Sequence, residues 1–258
     1  MIWHFDMMLN ILRIVLGVLG NLTATAFFIS PMSTFVIICR KRDTQSFSGV
    51  SYLASMFNCI LWVWYGMPFI TKNNILLLSI NALGATLESV YISLFITFAP
   101  RKEKLKALST VLLELMLFSV IATLSLLIIP PTKKELFVGS ISAVITTLMY
   151  AAPLSIMRMV IETKSVEFMP FWPSFLVIIN STIWLFYGLF GRDFFVLIPN
   201  AVGSLLGTLQ LILYVCYRKS TNSISTTIIN SKTYDIEGSL ENFDDKDTDW
   251  DQQKKIDG

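Results

Sequence analysis

Two stripes of amide and aromatic side chains are the part of this sequence best suited to bind a ligand. In each stripe an asparagine is followed four residues later by a tryptophan and seven residues later by a tyrosine, which places all three on one face of a helix. The stripes are Asn58, Trp62 and Tyr65, and Asn180, Trp184 and Tyr187. Amides donate and accept hydrogen bonds, and a flat indole suits the C–H face of a pyranose ring. Because neither stripe contains arginine or lysine, both favour an uncharged polyol over a carboxylate or a phosphate.

A purely structural role for these stripes stays open at this point. In a membrane, asparagine side chains also hydrogen-bond between helices, and tryptophans anchor helices at the interface. Other chemistry finds little support, because the chain has one histidine and an odd number of cysteines, three, within or at the ends of apolar segments. We therefore expect no catalytic residue, metal site, disulfide framework, cofactor or nucleic-acid partner.

Membrane helices are the elements that must position the stripes. Hydrophobic residues make up 54% of the 258 residues and charged residues only 15%, and the mean hydropathy is +0.64. Apolar windows cover residues 14–39, 46–71, 73–100, 107–132, 136–157, 168–191 and 194–217. Each window exceeds the ~20 residues that cross ~30 Å of hydrocarbon as a helix. The sequence thus predicts an all-α membrane protein with seven transmembrane helices, and a globular enzyme is excluded.

The positive charges predict the orientation of these spans. With the N-terminus outside, eleven lysines and arginines lie in the cytosolic segments and five in the outer ones, which agrees with the positive-inside rule. Residues 220–258 hold nine of the eighteen acids and only four lysines. We interpret that segment as an acidic, disordered tail on the cytosolic side.

An internal repeat organises the spans. A shift of 122 residues superimposes the two stripes and a proline, and a shift of 119 superimposes an asparagine and a glycine. The additional matched pairs are Pro31 with Pro153, Asn81 with Asn200, and Gly84 with Gly203. Spans one to three therefore recur as spans five to seven, and the fourth stands alone.

The odd span determines how the repeats are related. A single inserted span makes the second unit start on the same side of the membrane as the first, so the two three-helix repeats are parallel. The predicted boundaries are 13–100 for the first repeat, 107–132 for the linker helix, 136–217 for the second repeat and 220–258 for the tail. Repeats of this kind place a substrate site at their interface near mid-membrane.

Several longer strings resemble the plant SWEET sugar facilitators, over about residues 13–217. The most specific are KSVEFMPF, WLFYG and IPN, with LWVWYG and SINALGATLESVY in the first half. The resemblance implies seven helices in a three plus one plus three arrangement and energy-independent, bidirectional sugar transport by alternating access. It also implies a homo-oligomer, specifically a trimer, in the plasma membrane, with the vacuolar membrane as the alternative.

The same resemblance suggests which residues bind the substrate. Asn81 and Asn200 resemble the family's sugar-binding asparagine pair, and Trp62 and Trp184 its stacking tryptophans. The remaining pocket positions carried over by motif are Asn58, Asn180, Met149, Ala24 and Phe27. Sucrose-carrying members tend to have smaller residues at positions 58, 149 and 180, so a glucose-like monosaccharide is favoured here.

The resemblance also suggests a moving part and a gate. The family has four cytosolic hinge prolines, of which Pro31, Pro153 and Pro170 match three and Ser51 replaces the fourth. Because proline removes a backbone hydrogen bond and lets a helix bend, the second helix of the first repeat is expected to flex less. Tyr65 and Asp193 resemble the outer gate pair.

Two questions stay open on the sequence. A related-fold carrier of another small solute, or a trafficking receptor, is the alternative function. Glu88 lies seven residues after Asn81, on nearly the same helical face. An intramembrane acid is typical of a proton relay, but we favour a structural glutamate because related facilitators often have one here without ion coupling.

Overall fold

The computed structural model describes residues 2–44, 47–167, 169 and 171–218, with side chains from residue 6 onward. The described residues form helices and contain no strand. The α-helices are α1 (Ile2–Ile29), α2 (Met32–Lys41), α3 (Val50–Tyr65), α4 (Ile75–Phe98), α5 (Arg101–Thr123), α6 (Lys134–Met149), α7 (Ala151–Thr163), α8 (Phe171–Gly191) and α9 (Phe194–Arg218). A π-helical turn, Leu124–Ile128, extends α5, and a 3-10 turn, Pro131–Lys133, precedes α6. The predicted tail, 220–258, lies outside the described residues.

These helices account for the seven predicted spans. Six continuous segments are long and apolar enough to cross a membrane, and they are Asp6–Lys41, Ile75–Phe98, Arg101–Ile128, Pro131–Thr163, Phe171–Gly191 and Phe194–Arg218. The seventh is α3, whose 16 residues give a helix of about 24 Å. The predicted window for that span, 46–71, was longer because its last residues form a turn rather than helix.

Proline breaks the first span. The pyrrolidine nitrogen of Pro31 cannot donate to the carbonyl of Phe27, which would otherwise be its helical partner. The backbone N–H and the hydroxyl of Ser30 donate to that carbonyl instead, at 3.2 and 2.9 Å. The chain turns at Ser30 and Pro31 before α2 begins.

The fifth span breaks at the equivalent place. Pro153, which follows Pro31 by 122 residues, leaves the Met149 carbonyl without its helical donor. The Tyr150 N–H donates to the Thr147 carbonyl at 3.1 Å, which tightens the end of α6. The two repeats therefore share a break in their first span, near the prolines that the 122 shift matches.

Within each repeat, the third span packs closely on the first through a glycine. A Cβ added to Gly84 on α4 would overlap the ring of Phe28, and one added to Gly203 on α9 would overlap the hydroxyl of Tyr150. The glycines are related by the 119 shift and the aromatic residues by the 122 shift. The two repeats therefore share this close packing of glycine on an aromatic side chain as well as matched residues.

The described chain divides into two compact units. The first comprises residues 1–155 and 172–209, and the second comprises 156–171 and 210–258, described here as far as 218. In the first unit, one buried cluster surrounds Trp62 and Trp184, and another surrounds Phe35 and Tyr91. The second unit has a small core of its own around Val160. All side chains of the site described below belong to the first unit.

Candidate functional site

The first unit contains a cavity of about 150 Å³ between helices of both repeats. Helices α1, α3 and α4 of the first repeat contribute to its walls, as do α6, α8 and α9 of the second. The lining residues are Ala24, Phe28, Asn58, Trp62, Leu77, Ile80, Asn81, Thr146, Asn180, Trp184, Val196 and Asn200. None of these carries a charge, so the cavity suits an uncharged ligand.

Seven of the nine predicted binding residues line this cavity. Phe27 and Met149 are not among the lining residues, and their roles stay predictions. The five lining residues that were not predicted are Phe28, Leu77, Ile80, Thr146 and Val196. Thr146 could have been found, because the 122 shift aligns it with Ala24.

The two tryptophans are fixed in the cavity wall. Trp62 and Trp184 are 5% and 4% exposed, and each makes an edge contact with the tyrosine of its own stripe. The indole N–H of Trp62 donates to the Thr146 hydroxyl at 2.9 Å. A ligand therefore meets indole rings whose orientation is set before it binds.

Four asparagines divide into two kinds by how they are held. The amide nitrogens of Asn81 and Asn200 donate to carbonyls of their own helices, Leu77 at 2.8 Å and Val196 at 2.7 Å. That bond uses one of the two N–H groups of each amide, so one N–H donor and the Oδ1 acceptor of each remain available to a ligand.

The stripe asparagines are held the other way round. Asn58 Oδ1 accepts from the Thr146 hydroxyl at 2.7 Å, and Asn180 Oδ1 accepts from the Thr23 hydroxyl at 2.9 Å. Their Nδ2 groups are then available to donate. Each bond joins the second span of one repeat to the first span of the other. The cavity therefore offers both donors and acceptors, as a hydroxyl-rich ligand requires.

The predicted gate pair is in contact, with Tyr65 at the end of α3 and Asp193 between α8 and α9. The Tyr65 hydroxyl donates to Asp193 Oδ1 at 2.8 Å, and both residues are buried. Asp193 Oδ1 also accepts from the Val196 backbone N–H at 3.2 Å, at the start of α9. The bond between phenol and carboxylate joins the end of α3 in the first repeat to the residue that precedes α9 in the second.

The pair belongs to a larger cluster with pseudo-twofold symmetry. The Tyr187 hydroxyl donates to Asn74 Oδ1 at 3.2 Å, and Asn74 Nδ2 donates to Asp193 Oδ2 at 3.1 Å. Tyr187 matches Tyr65 at the 122 shift, and Asp193 matches Asn74 at the 119 shift. Each tyrosine therefore reaches across to the residue that begins the third span of the other repeat.

Two charged residues complete what we call the gate cluster: Arg13, Tyr65, Asn74, Glu135, Tyr187 and Asp193. Arg13 donates to Asn74, and its guanidinium lies 4.6 Å from the centre of the Tyr187 ring. Glu135, which is Arg13 shifted by 122, faces the Tyr65 hydroxyl. The search for identical residues missed Arg13 and Glu135 because they differ in type, although the shift of 122 aligns them.

The predicted hinge residues are only partly described. Pro31 and Pro153 lie at the two span breaks, and Pro170 lies outside the described residues. Ser51 is the second residue of α3, where backbone N–H groups have no partner inside the helix. A proline there would remove no helical hydrogen bond, so the reduced flexing expected of Ser51 does not follow from lost hydrogen bonding.

Glu88 lies on α4 but does not line the cavity. Its side chain is 5% exposed and interacts with Ser55 of α3, and one carboxyl oxygen has no hydrogen-bond partner among the described residues. Its position between α3 and α4 is consistent with a structural role.

Comparison with known proteins agrees with this architecture. The family model described as "Sugar efflux transporter for intercellular exchange" matches twice, at residues 14–103 and 136–222. The chain is 46% identical over 209 residues to the bidirectional sugar transporter SWEET1 of Arabidopsis thaliana, covering 81% of this chain and 85% of the relative. It is 47% identical to SWEET1a of Oryza sativa subsp. japonica, covering 81% of this chain and 77% of the relative.

A solved structure has the same fold. It is the structure of a eukaryotic SWEET transporter, and it aligns with a TM-score of 0.79 at 36% sequence identity over 82% of this chain and 99% of that chain. The double match confirms the internal repeat that the residue shifts predicted. With its all-helical fold, its apolar spans and these relatives, this chain belongs to the SWEET family and is a multi-pass membrane protein.

Proposed function

We propose that this chain is an energy-independent uniporter that carries monosaccharides, glucose-like hexoses in particular, in both directions across a membrane. The observation that carries the proposal is the uncharged cavity between the two repeats, in which two fixed indoles and four amides meet. Indole faces pack on the C–H side of a sugar ring, and amides exchange hydrogen bonds with its hydroxyls. The names of the similar proteins, bidirectional sugar transporters, support the same substrate class.

The dimensions of the cavity favour one sugar ring. The volume of about 150 Å³ is smaller than the ~300 Å³ at which pockets for drug-sized ligands begin. A disaccharide would therefore need the walls to move apart.

Transport requires that the cavity open to each side in turn. We propose that the Tyr65–Asp193 bond closes one side and that the breaks at Pro31 and Pro153 let the first spans bend on the other. Pro170 and Ser51 complete the proposed hinge by resemblance. The two predicted repeats, 13–100 and 136–217, are the parts that move relative to each other in this mechanism, with the bending breaks inside their first spans.

The proposal includes the orientation of the chain in the membrane, the membrane in which it resides and its oligomeric state. The excess of lysine and arginine in alternate segments supports an outer N-terminus and a cytosolic C-terminus. The family resemblance supports the plasma membrane and a homotrimer. Light scattering of the purified protein in detergent tests the trimer, and a monomer mass at all concentrations would contradict it.

Uptake into proteoliposomes separates this function from the alternatives. We expect labelled glucose to enter vesicles containing the wild type much faster than vesicles containing the Asn81→Ala variant, with a labelled amino acid excluded by both. Entry of the amino acid in place of glucose would identify a related carrier of another solute. A correctly inserted protein that moves neither would support a trafficking receptor.

A further inference from the structure

A second cavity, of about 310 Å³, lies beside the gate cluster and shares no lining residue with the first. It is formed by α1, the start of α4 and the end of α8. Its lining residues are Asn10, Arg13, Ile14, Asn73, Ile75, Leu76 and Tyr187. The proposed transport cycle assigns no ligand to it.

Arg13 is the charged group of this second cavity; no carboxylate of the described residues lies within ion-pair distance of it, and the Asn74 amide stands between it and Asp193. Its partners are the Asn74 amide oxygen and the Tyr187 ring, both uncharged. Its Nε is buried without a hydrogen-bond partner in that part of the chain. A cation in a membrane span is costly unless it is paired, so the site attracts an anion.

The rest of the cavity is polar on one side and apolar on the other. Asn10 and Asn73 add amide groups, and no acid lines the walls. Ile14 and Ile75 are 56% and 66% exposed, so the opening between α1 and α4 is flanked by apolar side chains. That combination suits a molecule with an anionic head and a hydrocarbon body.

Arg13 contacts Asn74, the residue that precedes α4, and so lies at the end of the helices that holds the gate cluster. Arginine binds phosphate oxygens through charge-assisted, often bidentate, hydrogen bonds. The ligand chemistry that fits is therefore a phosphodiester.

The second repeat lacks this chemistry at the equivalent place. Arg13 corresponds to Glu135 and Leu76 to Phe195. The Phe195 ring packs against Tyr65, with 6.1 Å between ring centres, and lies against Gly139. The repeat therefore provides an internal comparison in which an acid and an aromatic ring replace the cation and the open space.

We propose that the second cavity binds the headgroup of an anionic phospholipid, of the phosphatidylglycerol type, from the leaflet at the gate end. Arg13 binds the phosphodiester, Asn10 and Asn73 hydrogen-bond to the phosphate or the glycerol hydroxyls, and Ile14 and Ile75 contact the acyl chain. Because Arg13 also holds Asn74, the lipid binds beside the gate cluster, and the second cavity shares Arg13 and Tyr187 with that cluster. The proposal does not depend on which solute the first cavity carries.

Native mass spectrometry of the full chain in detergent tests the proposal. The protein is titrated with phosphatidylglycerol or with phosphatidylcholine of the same acyl chains. We expect one phosphatidylglycerol to be retained in preference to phosphatidylcholine, and Arg13→Gln to weaken that binding about tenfold or more because it removes a charge-assisted bond. Equal retention of the two lipids by the wild type would overturn the proposal.

Two further variants control for misfolding of Arg13→Gln and for a non-specific effect of removing a positive charge. The double variant Asn10→Ala with Asn73→Gly should also lose preferential binding while keeping glucose uptake in phosphatidylcholine vesicles, and glycine suits the positive φ of 60° at position 73. Arg192→Gln removes an exposed arginine near the same membrane face and should bind as the wild type does. If Arg192→Gln weakens binding as much as Arg13→Gln, or the double variant retains it fully, the site is wrong.

A competition experiment distinguishes a lipid ligand from a free anion. Inorganic phosphate at millimolar concentration is added to the phosphatidylglycerol complex. We expect the lipid to remain bound, because the apolar wall contributes to its affinity. Complete displacement by phosphate would contradict a lipid site and identify a site for a free anion.

Discussion

The Thr23 hydroxyl donates a hydrogen bond of 2.9 Å to Asn180 Oδ1, from the first span of one repeat to the second span of the other. Thr146 makes the corresponding bond to Asn58 at 2.7 Å. Each threonine fixes which end of an amide faces the cavity. The two bonds thus convert a flexible asparagine into an oriented donor on each side of the substrate.

Replacing either threonine by valine should therefore weaken substrate binding. Thr146→Val keeps the shape of the side chain but leaves Asn58 free to rotate, and we expect KM for glucose to rise about threefold to tenfold with little change in the maximal rate. Thr147→Val is the matched control, since Thr147 is exposed and bonds only to its own helix. A KM for Thr146→Val equal to that of the control would show that the threonine does not position the amide.

The asparagines with free oxygen atoms should matter more than their positioning partners. Asn81→Ala and Asn200→Ala each remove an acceptor aimed at the sugar and should reduce transport by roughly 5- to 150-fold without preventing membrane insertion. Initial uptake rates per inserted protein measure this. Wild-type flux in either variant would mean that the pair serves helix packing alone.

The symmetry of the gate cluster predicts that its two tyrosines act alike. Tyr65→Phe removes the bond to Asp193, and Tyr187→Phe removes the bond to Asn74. Each change should destabilise the closed gate by about 1 kcal/mol, which corresponds to about fivefold more opening. Opening is measured with Leu77→Cys, in a background in which Cys39, Cys59 and Cys216 are replaced. Leu77 lines the cavity, so an impermeant thiol reagent reacts with the new cysteine only when the gate is open. Unchanged reactivity in both variants would contradict the assigned gate.

Selectivity should depend on the size of the cavity walls. The triple change Asn58→Ser, Met149→Val and Asn180→Ser removes bulk around a cavity of about 150 Å³ and two donors to the sugar. We expect sucrose flux to rise relative to glucose flux, and glucose binding to weaken. Competition assays decide the point. A wild type that already moves sucrose as well as glucose, or a triple variant that refuses sucrose while carrying glucose normally, would contradict these assignments.

The sequence predicted those features that depend on apolar length and residue identity. The seven spans follow from runs of apolar residues, and the breaks at Pro31 and Pro153 follow from matched prolines. The cavity contains both predicted stripes because the repeat brings identical residues to equivalent positions.

Features that depend on unlike partners were not predicted. Arg13 and Glu135 are aligned by the shift but have opposite charge, and Thr146 is aligned with Ala24. Their importance lies in contacts across the repeat interface, such as Arg13 with Asn74, which no residue pattern along the chain reports. The span of α3 was predicted but its shorter helix was not, because apolar turn residues extend its window beyond the helix.

Equilibration of glucose in proteoliposomes without any ion gradient tests the central claim most directly. Glu88 is buried between α3 and α4 and does not line the cavity, so it should not couple transport to protons. We predict that internal labelled glucose rises to the external concentration and no further, in the wild type and in Glu88→Gln alike. Accumulation above the external concentration that collapses with a protonophore, and that is lost in Glu88→Gln, would contradict a uniporter and assign Glu88 as a proton carrier.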